Sequence, residues 1–401
     1  MTAGPSKRIS AVPPSPTFAI KAQARALADA GRDIINLSTG EPDGLPPAAA
    51  VEAAKASLEV GEHKYTPVAG LPALREAVAS FYRTRWSVPC VPGNVLVTHG
   101  GKQALMNVAL SAFDPGDRVI VLTPAWVTYV PQLLIAGVDP VVVPCAAEDG
   151  FLPDPDRIRA AVDDRTRGII VNSPNNPTGA VIPPDRLRAI AQLAVERDLL
   201  IIADEIYDEL YYTDEPPQCI AGLGPEIAAR TVIINAVSKT FAMTGWRVGW
   251  MVAPEALVKA ASVVQGHATS GVASVSQRAA IGALSVDRSF LGPIRRGLGR
   301  RRDILADALD ALDGVSVAVR PGGAFYLFPR VDGLFGRRTP AGDVLTTGAD
   351  VASWFLHEAG VAAVPGEGFG EPRCVRLAYP VRSEILREAG RRLAAAVAKL
   401  E

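Results

Sequence analysis

The chain has 401 residues, 48% of them hydrophobic and 21% charged, enough apolar material for two or three domain-sized units and too much for global disorder. Its 41 Lys and Arg against 42 Asp and Glu leave a formal net charge of -1, without the basic excess of a general nucleic-acid binder. The four cysteines, Cys90, Cys145, Cys219 and Cys374, form neither a CxxC pair nor a Cys/His cluster, so reduced, buried thiols of a cytoplasmic protein are expected, with no metal site and no disulfide framework.

The first ten residues lack an apolar run, so no signal peptide is expected. Pro5, Pro13, Pro14 and Pro16 predict an irregular arm over residues 1 to 18, followed by a helix over Ala19–Ala30 that Gly31 ends. Residues 34 to 40 read as a strand running into a Gly/Pro-rich loop, 40 to 47. A helix follows over 48 to 60, and a second loop over 63 to 70. From residue 71 the pattern alternates. Helices are predicted over 71–85 and 102–112, with strands at 94–98, 118–122, 140–143, 168–171, 199–203 and 231–235. Leu187, Ile190, Ala191 and Ala194 form a helical stripe. The 20 uncharged residues from Val119 to Val138 are broken by Pro124 and Pro131, so a buried strand and a helix start are expected there rather than a membrane span. The long charged helix over 288–312 mixes Arg295, Arg296 and Arg300 to Arg302 with Asp303, Asp307 and Asp310; a solvated linker is expected, not a nucleic-acid surface. Strands at 315–319, 325–328 and 375–378, a helix at 351–359 and a terminal helix complete the pattern. The fold class is α/β: a large domain with a mainly parallel sheet, expected over 46–287, and a smaller α+β domain over 288–401 that takes in part of the N-terminal arm, 1–45.

Chemistry concentrates at strand ends, where open α/β sheets bind ligands. Lys239 lies between the apolar strand 231–235 and the apolar segment 248–253, so its stem is expected to be buried. Most lysines are solvated, but a buried one has a depressed pKa and is a ready nucleophile for an aldehyde. Arg247 could meet a phosphate, and an aldehyde and a phosphate on one ligand suggest pyridoxal 5′-phosphate. Gly100-Gly101-Lys102 opens a helix after a strand, as a tight turn or as an anion site. Asp204, ending its strand, is either a turn residue or the partner of a buried cation such as a pyridinium nitrogen, which would keep the ring an electron sink. Tyr207 could hydrogen-bond the ring's phenolic oxygen or be a plain rim tyrosine. Asn176 sits in a Pro-bracketed loop from which its amide could reach both cofactor and substrate. Trp126 could stack on a ring or be core. Arg376, inside an apolar strand, needs an anion: a substrate carboxylate, or a structural Asp or Glu.

Three stretches, 172-NSPNNPTG-179, 203-ADEIY-207 and 238-SKTFAMTGWR-247, resemble those of class I (fold-type I) pyridoxal-phosphate aminotransferases. The stretches 40-GEPD-43, 64-KYTPVAG-70, 100-GGKQA-104 and 321-PGGAFY-326 extend the resemblance over nearly the whole chain, and Gly-Gly-Lys-Gln is similar to the bacterial aspartate/prephenate subgroup. The resemblance implies a seven-stranded large domain. Lys239 would take up the cofactor aldehyde and move the proton at Cα. Asp204 would pair with the ring nitrogen, Tyr207 and Asn176 would contact its O3′, and Trp126 would stack on it. Gly101, Lys102, Ser238 and Arg247 would hold the phosphate, and Tyr65 would reach the phosphate of the neighbouring subunit of a homodimer. Arg376, Asn176 and the Gly40 backbone would bind the substrate α-carboxylate. Lys102, helped by Ser15 and Thr17 of the arm, would bind a distal carboxylate and favour aspartate, glutamate or a related acidic or aromatic donor, with a 2-oxo acid such as 2-oxoglutarate as acceptor. The sequence departs from the family in two places. Ala236 stands where a Ser or Gly is usual. Gly44-Leu-Pro-Pro47 replaces an aromatic-containing loop expected to border the substrate pocket.

Two other readings use the same residues. A lyase or cyclising enzyme would need the same cofactor motifs, and the two-carboxylate pocket of Lys102 and Arg376 favours transamination over it. A ligand-sensing domain of a transcription regulator would carry a DNA-binding unit before the matched region, and the resemblance begins within the first 20 residues.

Overall fold

The structure, a computed structural model, describes residues 4–401; the first three residues of the expected arm lie outside the described residues. Seven strands form the central sheet: β1 (Val95–Thr98), β2 (Arg118–Thr123), β3 (Asp139–Pro144), β4 (Thr166–Asn172), β5 (Leu200–Asp204), β6 (Thr231–Ala236) and β7 (Gly249–Val252). They lie in the order β1-β7-β6-β5-β4-β2-β3, and only β7 runs antiparallel to its neighbours. The β-branched runs of β2, β4 and β6 suit strands covered on both sides, since alternate side chains serve opposite faces. Val119, Val121, Ile170, Ile202 and Ile234 pack on one side against Ala104, Leu105 and Val108. Ile120, Ile169, Val171 and Ile201 pack on the other against Leu187, Ile190, Ala191 and Ala194. In register, Asn172 pairs with Asp204 and Asp204 with Ile234, which brings the last residues of β4 and β5 level while β6 runs two residues further.

The helices include α1 (Pro16–Asp29), α2 (Gly101–Ala112), α3 (Leu291–Asp310) and α4 (Ser383–Val397). Helix α1 starts three residues before the predicted Ala19, because Pro16 at its first position has no N–H to waste and a preset φ. A turn of helix at Lys7–Ser10 also stands within the segment expected to be irregular. Leu298, Leu305, Ala306 and Leu309 put one stripe of α3 into a second core with Leu386 and Leu393 of α4. The same core takes Ile35 and Leu37 from the start of the chain and Phe325, Leu327 and Leu377 from its end. Ile35–Asn36 pairs in parallel with Val361–Ala362, and Val375–Ala378 pairs antiparallel with Tyr326–Leu327 and Val364–Pro365.

Two expectations are corrected. Residues 315–319 make no strand, only a bridge between Ser316 and Arg330. The Val315 N–H goes back to the Leu312 carbonyl and the Val317 N–H to Asp310 at 2.9 Å, so the groups a ladder needs are spent on the helix end. Nor is α3 a solvated linker. Arg295 pairs with buried Glu209, Arg301 with Asp43 at 2.9 Å, and Arg302 donates to the Pro321 carbonyl at 2.9 Å. The uncharged stretch 119–138 resolves into β2, a loop and the short helix Tyr129–Ala136, and no described helix is long and apolar enough to cross a membrane.

Leu305 is fully buried between α3 and the small sheet. Leu305→Ala should cost about 2–5 kcal/mol of stability in denaturant unfolding; a loss under about 1 kcal/mol would mean this core collapses freely around the gap.

Candidate active site

A cavity of about 480 Å³ opens where the C-terminal ends of β4, β5 and β6 meet the second core. That is the size and position of a small-molecule site in an open α/β sheet. Its lining includes every site residue expected from the sequence except Tyr65, which is 99% exposed and lies outside it.

The Lys239 amine donates to the Gly40 carbonyl at 2.7 Å. Burial first, and then the Arg376 charge, push its pKa down to about 8. Asp204 is 4% exposed, accepts from the Tyr129 hydroxyl at 2.7 Å, and is pushed up to about 6 by burial. Among the described residues it has no salt-bridge partner, so the pocket holds a carboxylate that calls for a cation. Asn172 donates to the Asp204 carbonyl at 2.8 Å and accepts from the Asn176 N–H at 2.9 Å, which ties the Pro-bracketed loop to the strand end. The Tyr207 and Tyr326 hydroxyls lie 2.8 Å apart. A Cβ at Gly40 would collide with Tyr326, so that position must be bare for the loop to pass.

An anion cradle stands at the start of α2. Gly100 takes φ +81° at the N-cap, where no side chain caps the helix, leaving its first-turn dipole facing the cavity. Arg247, itself at φ +55°, donates to the Thr244 carbonyl at 2.8 Å and the His99 carbonyl at 3.3 Å, and has no acidic partner among the described residues. His99, which carried no role in the sequence, thus helps to fix the guanidinium. Gly249 of β7 backs the turn so closely that a Cβ there would lie 2.7 Å from the Gly100 carbonyl carbon and the Gly101 nitrogen. Ser238 is buried at the same rim, whereas Ala236 does not line the cavity.

Arg376 is 3% exposed and donates to Asn176 Oδ1 at 3.0 Å and the Ser38 carbonyl at 2.8 Å, while its Nε has no partner. The Tyr326 ring lies 4.6 Å and the Phe369 ring 5.0 Å from it. Among the described residues no carboxylate pairs with it, which removes the structural Asp or Glu alternative. The Lys102 amine lies 5.0 Å from the Trp126 ring, on the side of the cavity lined by Ser15 and Thr17. Gly40 and Glu41 line this cavity, but the unusual loop at 44–47 does not. It lines a separate apolar one of about 430 Å³ behind Lys239, which corrects the expectation that it borders the substrate pocket.

Sequence reasoning gave no role to Tyr129, Asn172 or Tyr326. Tyr326 ends a quoted motif, and Tyr129 follows Trp126 by three residues, packing edge-on against it at 5.6 Å. Neither carries a spacing signal of its own.

A doubly wound sheet with a depressed lysine amine, an unpaired carboxylate, an anion cradle and an unpaired arginine at one edge defines a group-transfer enzyme of the aminotransferase type. The chain belongs to the class I and II aminotransferase family, whose model matches residues 32–393. It is 42% identical to the aspartate/prephenate aminotransferase of Thermus thermophilus, over 98% of each chain. It superposes on the aspartate aminotransferase of Rhizobium meliloti with a TM-score of 0.96 at 35% identity, over the full length of both. On the Thermus thermophilus aspartate aminotransferase with maleate the TM-score is 0.92 at 41% identity, covering 98% of this chain and all of that one. The protein is an aminotransferase acting on small molecules, and the lyase reading is not favoured.

With its pKa at about 8, the Lys239 amine is mostly protonated below that pH and free above it. Reductive methylation by formaldehyde, followed at Lys239 by mass spectrometry, should therefore rise with a midpoint near pH 8. A midpoint at the ordinary lysine value, about 10.4, would show the amine is not desolvated.

Proposed function

We propose that the protein uses pyridoxal 5′-phosphate to move an amino group between an acidic L-amino acid, aspartate or glutamate first, and a 2-oxo acid such as 2-oxoglutarate, in two half-reactions that alternate at one site. The observation that carries this is Arg376, a buried guanidinium without a carboxylate, in the same cavity as the desolvated amine of Lys239. The donor groups fit the cofactor: an unpaired buried carboxylate for a ring cation, a helix N-terminus with Arg247 and Ser238 for a phosphate, and a depressed amine for an aldehyde. When bound, the cofactor supplies a carbonyl for the amino group and a protonated ring that stores the electron pair left at Cα.

The chain's own groups do the rest. Asp204 holds the negative charge that keeps a proton on the ring nitrogen, and Tyr129 keeps that carboxylate aimed by donating to it. Tyr207 and Asn176 would supply hydrogen bonds to the ring oxygen, and Trp126 would cover the ring face. Arg376 takes the substrate α-carboxylate in its fork, with Asn176 already on one arm of the guanidinium. That fixes Cα, so that the free Lys239 amine can remove its proton and return one as general acid. Lys102, with Ser15 and Thr17, takes a distal carboxylate, which selects acidic donors over neutral ones. The relatives' names, aspartate and aspartate/prephenate aminotransferase, point the same way.

The exposed Tyr65 supports a homodimer in which it completes the phosphate site of the partner. A cytoplasmic biosynthetic enzyme of amino acid metabolism is in keeping with its four free cysteines. A division into an arm with part of the small domain (1–45), a large domain (46–287) and a small domain (288–401) is supported by the one core that Ile35 and Leu37 share with residues 298–397, although Tyr207 and Leu210 also enter it.

The visible absorbance of the holoenzyme should bleach with aspartate or glutamate and return with 2-oxoglutarate, and Lys239→Ala should lose about 10²–10⁴-fold in rate. Absorbance that persists while ammonia accumulates would sink the transaminase reading. Gly249→Ala should crowd the cradle and weaken cofactor binding by about tenfold, measured by fluorescence titration of the apoprotein.

A further inference from the structure

Helix α1 places one more cation over the cavity. Thr17, Phe18 and Lys21 all line it, along with Ser15, and their spacing puts them on one helix face. Ser15 occupies the N-cap position but its hydroxyl caps nothing, so it stays available to the cavity. Lys21 is exposed and, among the described residues, has no acidic partner; the ion pair of α1 is Arg25 with Asp29. Lys102 faces this helix from the other side, its amine 5.9 Å from the Phe18 ring.

The charge balance of the cavity is uneven. Lys21, Lys102, Lys239, Arg247 and Arg376 line it, against Asp204 and Glu41 only. A phosphate at Arg247 and an α-carboxylate at Arg376 would still leave Lys102 and Lys21 without counter-charge. The two are not equivalent in depth. Lys102 stands beside the Trp126 ring at the start of α2, next to the anion cradle. Lys21 stands one turn along α1 from Thr17 and is exposed to solvent, whereas burial pushes the Lys102 amine below the ordinary lysine value. A four-carbon diacid anchored at Arg376 would reach the inner cation, and a longer one would run on past it toward Phe18 and the outer one.

We propose that Lys21 is a further specificity-determining residue, a second cation that receives the distal carboxylate of substrates longer than aspartate. It adds to Lys102 a second contact that strengthens the hold on five-carbon and longer dicarboxylates relative to four-carbon ones. This rests on the reading of Arg376 and Lys102 as a two-carboxylate site. The selectivity is graded rather than absolute, because an exposed cation on a flexible stem interacts through water.

The test uses the holoenzyme and three substrate-like diacids, succinate, glutarate and adipate, with dissociation constants from calorimetry. Lys21→Met should leave succinate within about twofold and weaken glutarate and adipate by about threefold to fivefold, more for the longer. Lys21→Arg should restore the wild-type series, and Lys102→Met should weaken all three. Equal weakening of all three by Lys21→Met, or none, would overturn the proposal while leaving the acidic-substrate reading in place. If the wild type binds none of the diacids, that reading falls and the role of Lys21 falls with it.

Discussion

Three charged groups, Asp204, Lys239 and Arg376, are withdrawn from water in one cavity, and among the described residues none forms a salt bridge. That is a costly arrangement, because a buried charge without a partner loses its hydration and gains little in return. Burial pushes Asp204 up and Lys239 down, each toward its neutral form. The fold does not relieve this by pairing them with each other. It holds them apart with neutral partners: Tyr129 on Asp204, the Gly40 carbonyl on Lys239, and Asn176 with the Ser38 carbonyl on Arg376. Charges held that way are complementary to a ligand that brings the opposite signs, and the reorganisation is already complete when it binds.

The rigidity needed for this comes from two cores that meet at the cavity. Asn172, Asp204 and the turn before Lys239 end adjacent strands whose register is locked by β-branched side chains on both faces. Tyr326 belongs to the other core, built from both ends of the chain, and that core also holds Leu37, three residues before Gly40, and Val375 and Leu377 on either side of Arg376. The Tyr207–Tyr326 and Arg376–Asn176 hydrogen bonds join the two halves, so Arg376 is positioned against the loop after β4 by direct contact.

Behind Asp204 lies a further set of buried carboxylates. Glu205 and Asp208 are both shifted upward by burial, Glu205 to about 8, so Glu205 is largely protonated at neutral pH. Glu209 instead meets Arg295 of α3, with Arg85 3.5 Å away. Of these four acidic residues Asp204 alone lines the cavity, so the charge the stretch presents there is that of Asp204. The basic helix that looked like a solvated linker supplies the counter-charge that makes this possible.

Much of the fold and most of the site were legible in the residues themselves. Parallel strands announce themselves as continuous apolar runs, and two of them lead directly to a group with chemistry to offer: β5 ends in Asp204, and β6 runs into the turn that carries Lys239. Arg376 was legible because a guanidinium in an apolar strand has few places to go. The same reasoning misjudged 315–319, where apolar spacing suited a strand but the backbone donors were drawn back to the helix end. It also missed Tyr129, Asn172, Tyr326 and the acid cluster's counter-ions. Those residues act through partners 32 to 119 positions away, and hydrogen-bond pairing over such separations is set by register and packing, which leave no local period. The sequence by itself determined which elements form and which polar groups stand at their ends. Only the tertiary structure decided which of those groups stay unpaired, because a charge is left without a partner only when every neighbour brought to it has been counted.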